Sequence, residues 1–118
     1  MHKNTFCHVE IPSTNLDRTK TFYGTLFDWK FTPYGDGYML FETPSQEMGG
    51  GFYKTDAITA GQGPIVYVLI DEHEPYLQRV VELGGTREAI HEVPGMGWSS
   101  TFKDPDGNTV GLWKSAHT

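Results

Sequence analysis

"KDPDGNTVGLW", residues 103–113, is a tight turn running straight into a strand. Pro105 presets φ for the first corner, Asp106 follows, and Gly107 accepts the left-handed geometry that closes the turn. Residues 109–113 then leave as the second arm of a hairpin. One position in that arm is odd: Gly111 has no side chain where a strand normally packs one or displays one.

Working outward, the pattern has a counterpart about half a chain earlier. "GYMLFETP" (37–44) matches "GWSSTFKDP" (97–105) in kind, and "GFY" (51–53) matches "GLW" (111–113). The preceding elements repeat as well. "FCHVEI" (6–11) alternates Cys7, Val9 and Ile11 with Phe6, His8 and Glu10, the period of a half-buried strand. Ser13, Thr14 or Asn15 can cap a following helix, in which Leu16, Thr19, Phe22, Tyr23 and Leu26 form one stripe. Strands are expected at 29–34, 37–43 and 50–54. After a polar connection the order restarts: a strand at 65–70, a helix with Pro75 in its first turn and Leu77, Val80 and Val81 on one stripe, a stop at Gly84 and Gly85, and strands at 86–93, 97–103 and 108–113. The expected fold is α+β, a single domain of two β-α-β-β-β modules, 1–56 and 64–118, with curved mixed sheets and helices on their convex sides.

Composition limits the function. Fifteen acidic residues against nine Lys plus Arg give a formal charge of −6, which disfavours a nucleic-acid partner. The N-terminal stretch has no apolar run of signal-peptide length, and no run of about 18 apolar residues exists to span a bilayer. One cysteine, Cys7, forms no internal disulfide. These features imply a cytoplasmic protein without a membrane partner. Cys7, opposite in parity to His8, is expected to pack as a small hydrophobe under the first helix. The acidic Asp71, Glu72 and Glu74 around His73 suit a helix N-terminus.

The paired modules, "TFYGTLFDW" (21–29) and above all "GMGWSSTFKDPDGNTVGLW" (95–113) resemble the vicinal oxygen chelate superfamily, the glyoxalase, bleomycin-resistance and extradiol-dioxygenase group. The resemblance covers nearly the whole chain. It implies a cup-shaped fold, a small-molecule cavity on the concave side and a homodimer. It leaves the reaction open, since such proteins include metal-dependent lyases, isomerases, dioxygenases and plain binding proteins.

Metal-dependent members of that group place ligands on the concave face, and the resemblance carries those places onto Phe6, Gly51, Val66 and Gly111. None has a side chain that donates to a metal. Gly111 is then a vacated ligand position, and no metal or other cofactor is expected. A different gap brings His8 onto the first place, and a replacement set drawn from His8, Glu10, Glu42, Glu47 or His91 stays open. The expected ligand-binding residues are Phe6, His8, Glu10, Glu42, Tyr53, Trp98 and Trp113, with Phe6, His8, Glu10, Tyr53 and Trp113 on one concave wall, suited to an apolar or cationic organic molecule. Two other readings stand beside this one: a lyase or isomerase of the glyoxalase type with altered metal ligands, and a dimerising module whose cavity is vestigial.

Overall fold

In β1 (His8–Ser13), Val9, Ile11 and Ser13 turn toward protein while His8 and Glu10 are exposed. The computed structural model, which describes residues 3–4, 6–45, 48–58 and 64–117, places this strand in a sheet of order β1-β4-β3-β2. Here β2 is Lys30–Pro33, β3 Tyr38–Glu42 and β4 Gly49–Lys54; β1 runs parallel to β4 and the other pairs are antiparallel. Helix α1 (Leu16–Phe27) joins β1 to β2. Asn15 caps it, accepting from the Arg18 N–H at 3.0 Å, and Asp28, at φ 60°, ends it in the left-handed region with its N–H on the Gly24 carbonyl. The fully buried Ser13 shares a 2.7 Å hydrogen bond with Thr19, which fixes the end of β1 to the first turns of the helix.

The helix stripe expected from the spacing is the buried one, with Thr19, Phe22, Tyr23 and Leu26 inside and Phe27 added. It meets Met39, Phe41 and Phe52 from the sheet. Trp29 is stacked on Tyr23 at 5.2 Å and on Phe41 at 4.6 Å, and Phe52 packs against Tyr23 at 5.0 Å. Aromatic pairs at these separations add to area burial by roughly 0.5–1.5 kcal/mol each.

By contacts the chain divides into two compact units, Met1–Ile58 and Thr59–Thr118. In the second, β5 (Val66–Leu69) runs parallel to β9 (Thr109–Ser115), β8 (Gly97–Lys103) lies antiparallel to β9, and α2 (His73–Glu82) packs on β8 and β9. Leu77 and Val80 are buried from this helix, whereas Val81, expected on the same stripe, is 52% exposed. His73 takes an inner place instead: its Nε2–H donates to the Trp98 carbonyl at 3.0 Å, so in the neutral ring Nδ1 accepts from the Ser100 hydroxyl at 2.7 Å. Past the helix, Gly84 has φ 92°, and the Gly84 and Gly85 N–H groups return to Val81 and Val80.

The single strand expected at 86–93 is two, β6 (Thr86–Arg87) and β7 (His91–Val93). Both pair with β8, but Thr86 faces Lys103 whereas His91 faces Ser99, so the register slips by one residue between them. That is a bulge, and it bends the strand it interrupts. Arg87 reaches from β6 to Glu74 of α2 through two bonds of 2.9 and 3.0 Å. These bonds, with the guanidinium charge, hold the Glu74 carboxyl below the usual carboxylate range.

The turn at 103–108 is organised by Asp104, which is only 4% exposed. Its carboxylate accepts from the Asp106 and Asn108 N–H groups, each at 2.9 Å, and from the Asn108 side-chain amide at 3.0 Å. Gly107 closes the turn at φ 88° with its N–H on the Asp104 carbonyl.

Two stability measurements check this account. In urea unfolding, Phe52→Ala is expected to cost about 3–5 kcal/mol, the range for emptying a buried aromatic site, while the neighbouring Tyr53→Ala costs about 1 kcal/mol or less. Equal losses would contradict the assignment of the two faces. Asp104→Ala strands two turn N–H groups and is expected to lower stability by about 2–3 kcal/mol with an unchanged denaturant slope.

Candidate functional site

Each sheet has one face against its helix and one open face. In the first module the pairing puts Glu10, Gly51 and Leu40 in one row of the open face, with Pro12, Tyr53 and Tyr38 in the next. His8 and Gly49 lie in the row on the other side. Two β4 glycines therefore leave a floor without side chains between the β1 and β3 side chains.

Tyr38 reaches onto that floor. It stands opposite Tyr53 and extends diagonally over Gly51, so that a Cβ added at Gly51 would collide with the Tyr38 phenol. The phenol is the centre of a hydrogen-bonded chain: the Tyr38 hydroxyl donates to Glu10 Oε2 at 3.0 Å, and His8 Nε2 lies 2.8 Å from the same oxygen. A carboxylate only accepts, so the Tyr38 proton points at Glu10 and His8 supplies an Nε2–H to Tyr38. Partial burial, then the hydrogen bond to Glu10 and its negative charge, raise the Tyr38 pKa above the ordinary phenol value. His8 Nε2 and Glu10 Oε2 are 3.8 Å apart, with both side chains about half exposed.

The second module repeats the device by another route. Tyr67 of β5 lies directly opposite Gly111 of β9, and a Cβ at Gly111 would fall on its ring. Trp113 shares this open face beside Gly111, opposite Ser99. Both glycines that the resemblance marks as ligand positions are thus covered by a tyrosine of their own module.

Several expectations are corrected by the same registers. Strand β1 begins at His8, so Phe6 lies outside it and is 90% exposed. Cys7 also precedes the strand; alternation does not carry it under the helix, and it is exposed. Val66 faces Val110 on the helix side of its sheet, and the residue across from Gly111 is Tyr67. Trp98 sits opposite Lys114, in the row next to Ser99 and Trp113 and so on the opposite face from Trp113, with the Lys114 ammonium 5.2 Å from its ring and Glu72 on that ammonium at 2.7 Å. Glu42 is not displaced: exposed at the end of β3 opposite Lys30, it shares the open face with Tyr38 and Leu40, whereas His91 is exposed in β7 of the second module. Glu47 lies outside the described residues. Tyr38 and Tyr67 are absent from the sequence-based set; an aromatic next to a glycine in a neighbouring strand is the signal that would have found them.

A metal of the kind the resemblance implies does not fit these residues. Gly51 and Gly111 offer no donor and are covered, and among the described residues no three His, Cys, Asp or Glu side chains come together. His8 and Glu10 are a pair, and open zinc sites use about three protein ligands.

Comparison with known proteins bears on the fold and the family. FosX, the fosfomycin resistance protein of Listeria monocytogenes, superposes with a TM-score of 0.82 at 17% identity, covering 98% of this chain and 97% of that one. The E126Q mutant of the same protein, complexed with Mn(II) and 1S,2S-dihydroxypropylphosphonic acid, gives 0.81 at 19% identity, with 95% and 90% covered. A glyoxalase/bleomycin resistance protein/dioxygenase family enzyme of Burkholderia phytofirmans gives 0.78 at 15% identity, with 92% and 96% covered. In sequence, CFP32 of Mycobacterium bovis and of Mycobacterium tuberculosis, which carries a glyoxylase name, is 27% identical over 115 residues. That match takes in 91% of this chain but 44% of CFP32, so the chain spans about half the length of the curated relatives it matches. A family model for the glyoxalase-like domain runs from residue 8 to residue 113. Extending from the first residue of β1 through Trp113 of β9, it takes in both tyrosine-covered glycines, and the chain belongs to the glyoxalase-like domain family.

Proposed function

We propose that this domain binds a small organic molecule on its open sheet faces and does so without a metal. The observation that carries the reading is the tyrosine over each ligand-position glycine, Tyr38 on Gly51 and Tyr67 on Gly111. Each replaces an empty coordination position with an aromatic surface. Rings with a polar edge suit an organic ligand, since they supply contact area at low entropic cost and a hydroxyl for orientation. On the first module, His8 and Glu10 provide the polar end and Tyr38 and Tyr53 the walls; on the second, Trp113 stands beside Tyr67. The single cysteine, in keeping with a reducing compartment, supports a cytoplasmic location, and the resemblance supports a homodimer.

One observation favours a second reading, a lyase or isomerase of the glyoxalase type with altered ligands: His8 and Glu10 share a face with 3.8 Å between donor atoms.

Elemental analysis of protein purified without chelator, with a thermal-shift screen of small aromatic and aliphatic molecules, separates the two. The expected result is no stoichiometric manganese, iron, nickel or zinc after dialysis, together with ligand-dependent stabilisation of the metal-free protein. Trp113→Ala is expected to weaken that binding by about 1–3 kcal/mol, while Cys7→Ala leaves both binding and stability within about 0.5 kcal/mol. A metal that survives dialysis and is required for binding would overturn the proposal in favour of the second reading.

A further inference from the structure

On the open face of the first module, Glu10 has no salt bridge to a lysine or arginine among the described residues, and Lys30, which shares that face in the row of Glu42, is held by Asp28. Asp28 is paired with Lys30, Glu72 with Lys114 and Glu74 with Arg87. Glu10 differs: among the described residues its hydrogen bond is from the Tyr38 phenol, with the His8 ring nitrogen at 3.8 Å. A phenol donates one proton and leaves most of the carboxylate's charge unbalanced. An ionised carboxylate has about four acceptor directions, of which Tyr38 fills one.

What surrounds that charge is aromatic and shallow. Glu10 borders the Gly51 floor, Tyr38 lies over that glycine, Tyr53 is Tyr38's cross-strand neighbour, and Leu40 closes the row on the far side of Gly51. Tyr53 and Leu40 are 40% and 37% exposed, so apolar surface is available beside the carboxylate. A carboxylate flanked by electron-rich ring faces attracts an organic cation twice, through its charge and through the ring quadrupoles. The same surroundings penalise an anion. The net charge of −6 adds long-range attraction for a cation.

Resting on the small-molecule reading above, we infer that Glu10, with the rings of Tyr38 and Tyr53, forms a binding site for an organic ammonium ion bearing an apolar or aromatic body. The ammonium group sits on Glu10, and the body lies along Tyr53 and Leu40. Tyr38 keeps its hydrogen bond to one carboxylate oxygen and holds the carboxylate in place over the glycine floor.

The test compares benzylammonium chloride with benzyl alcohol, which has nearly the same shape and no charge. Both are titrated into isotopically labelled protein, and the Gly49, Gly51, Glu10 and Tyr53 backbone signals are followed by NMR. At low salt benzylammonium is expected to bind about fivefold more tightly than benzyl alcohol. The preference is expected to fall toward one as salt rises, because half-exposed charges are screened. In Glu10→Gln the preference is expected to vanish, because benzylammonium affinity falls to that of benzyl alcohol for the same variant. If Glu10→Gln does not fold, the salt dependence of the wild-type preference decides the matter. Equal affinity for the two probes, or a preference that survives high salt or Glu10→Gln, overturns the ammonium assignment and leaves the small-molecule reading standing. Perturbation of none of these signals by either probe overturns both.

Discussion

Phe52 has no exposed surface, and in β4 that one burial decides which way every neighbour points. Side chains alternate along a strand, so with Phe52 packed against Tyr23 and Phe41, Gly51 and Tyr53 must face outward. Because β1 and β3 both pair with β4, their outward residues are set by the same choice: His8 and Glu10 on one side, Tyr38 and Leu40 on the other. A slip of one residue would bury Glu10 and Tyr53 and expose Phe52, a cost that the aromatic core does not allow. Leu112, also fully buried, plays the same part in β9 and turns Gly111 and Trp113 outward.

That constraint explains why the glycines and the tyrosines belong together. A glycine on an outward row leaves a gap between the side chains of adjacent strands, and an exposed gap over bare backbone weakens the sheet. A neighbouring ring closes it, as aromatic residues do for glycines in designed sheets. The two modules find different neighbours for the purpose. Tyr38 comes from the antiparallel strand on one side and reaches diagonally, whereas Tyr67 comes from the parallel strand on the other and sits directly opposite. The common outcome from unlike positions points to the filling of the gap, and not to one inherited tyrosine, as what the two modules share.

The sequence carried the fold further than the site. The order of elements, both helix stripes apart from Val81, the Gly107 turn and the outward face of His8 and Glu10 were all legible, because each follows from local periodicity or turn chemistry. Errors arose where a side chain's place depended on another strand. Cys7 and Phe6 continue the alternation of β1 on paper, but pairing with β4 starts at His8. The resemblance places Val66 on the concave side, whereas its face is fixed by pairing with Val110. The slip between β6 and β7 depends on β8, and nothing in residues 86–93 alone announces it. Tyr38 is absent from the expected ligand-binding set, since a diagonal reach over a glycine in another strand has no local signature. The sequence reading of the 103–108 turn rests on Pro105, Asp106 and Gly107, whereas the structure centres it on the buried Asp104 carboxylate with its three hydrogen bonds.

The direction of the His8–Tyr38–Glu10 chain also weighs on what this face does. General-base chemistry at neutral pH needs a group ready to take a proton, with a pKa near the working pH. Tyr38 is shifted the other way: partial desolvation and the neighbouring Glu10 carboxylate keep the phenol protonated. Its proton is committed to Glu10, and its oxygen accepts from His8. Tyr38 therefore fixes two polar side chains over a glycine floor and holds no basic oxygen toward solvent. Such an arrangement presents a steady charge and an aromatic surface, which are the requirements of recognition. On the first module's open face, these hydrogen bonds hold the three side chains in one arrangement, which is what supports the ligand-binding role proposed above.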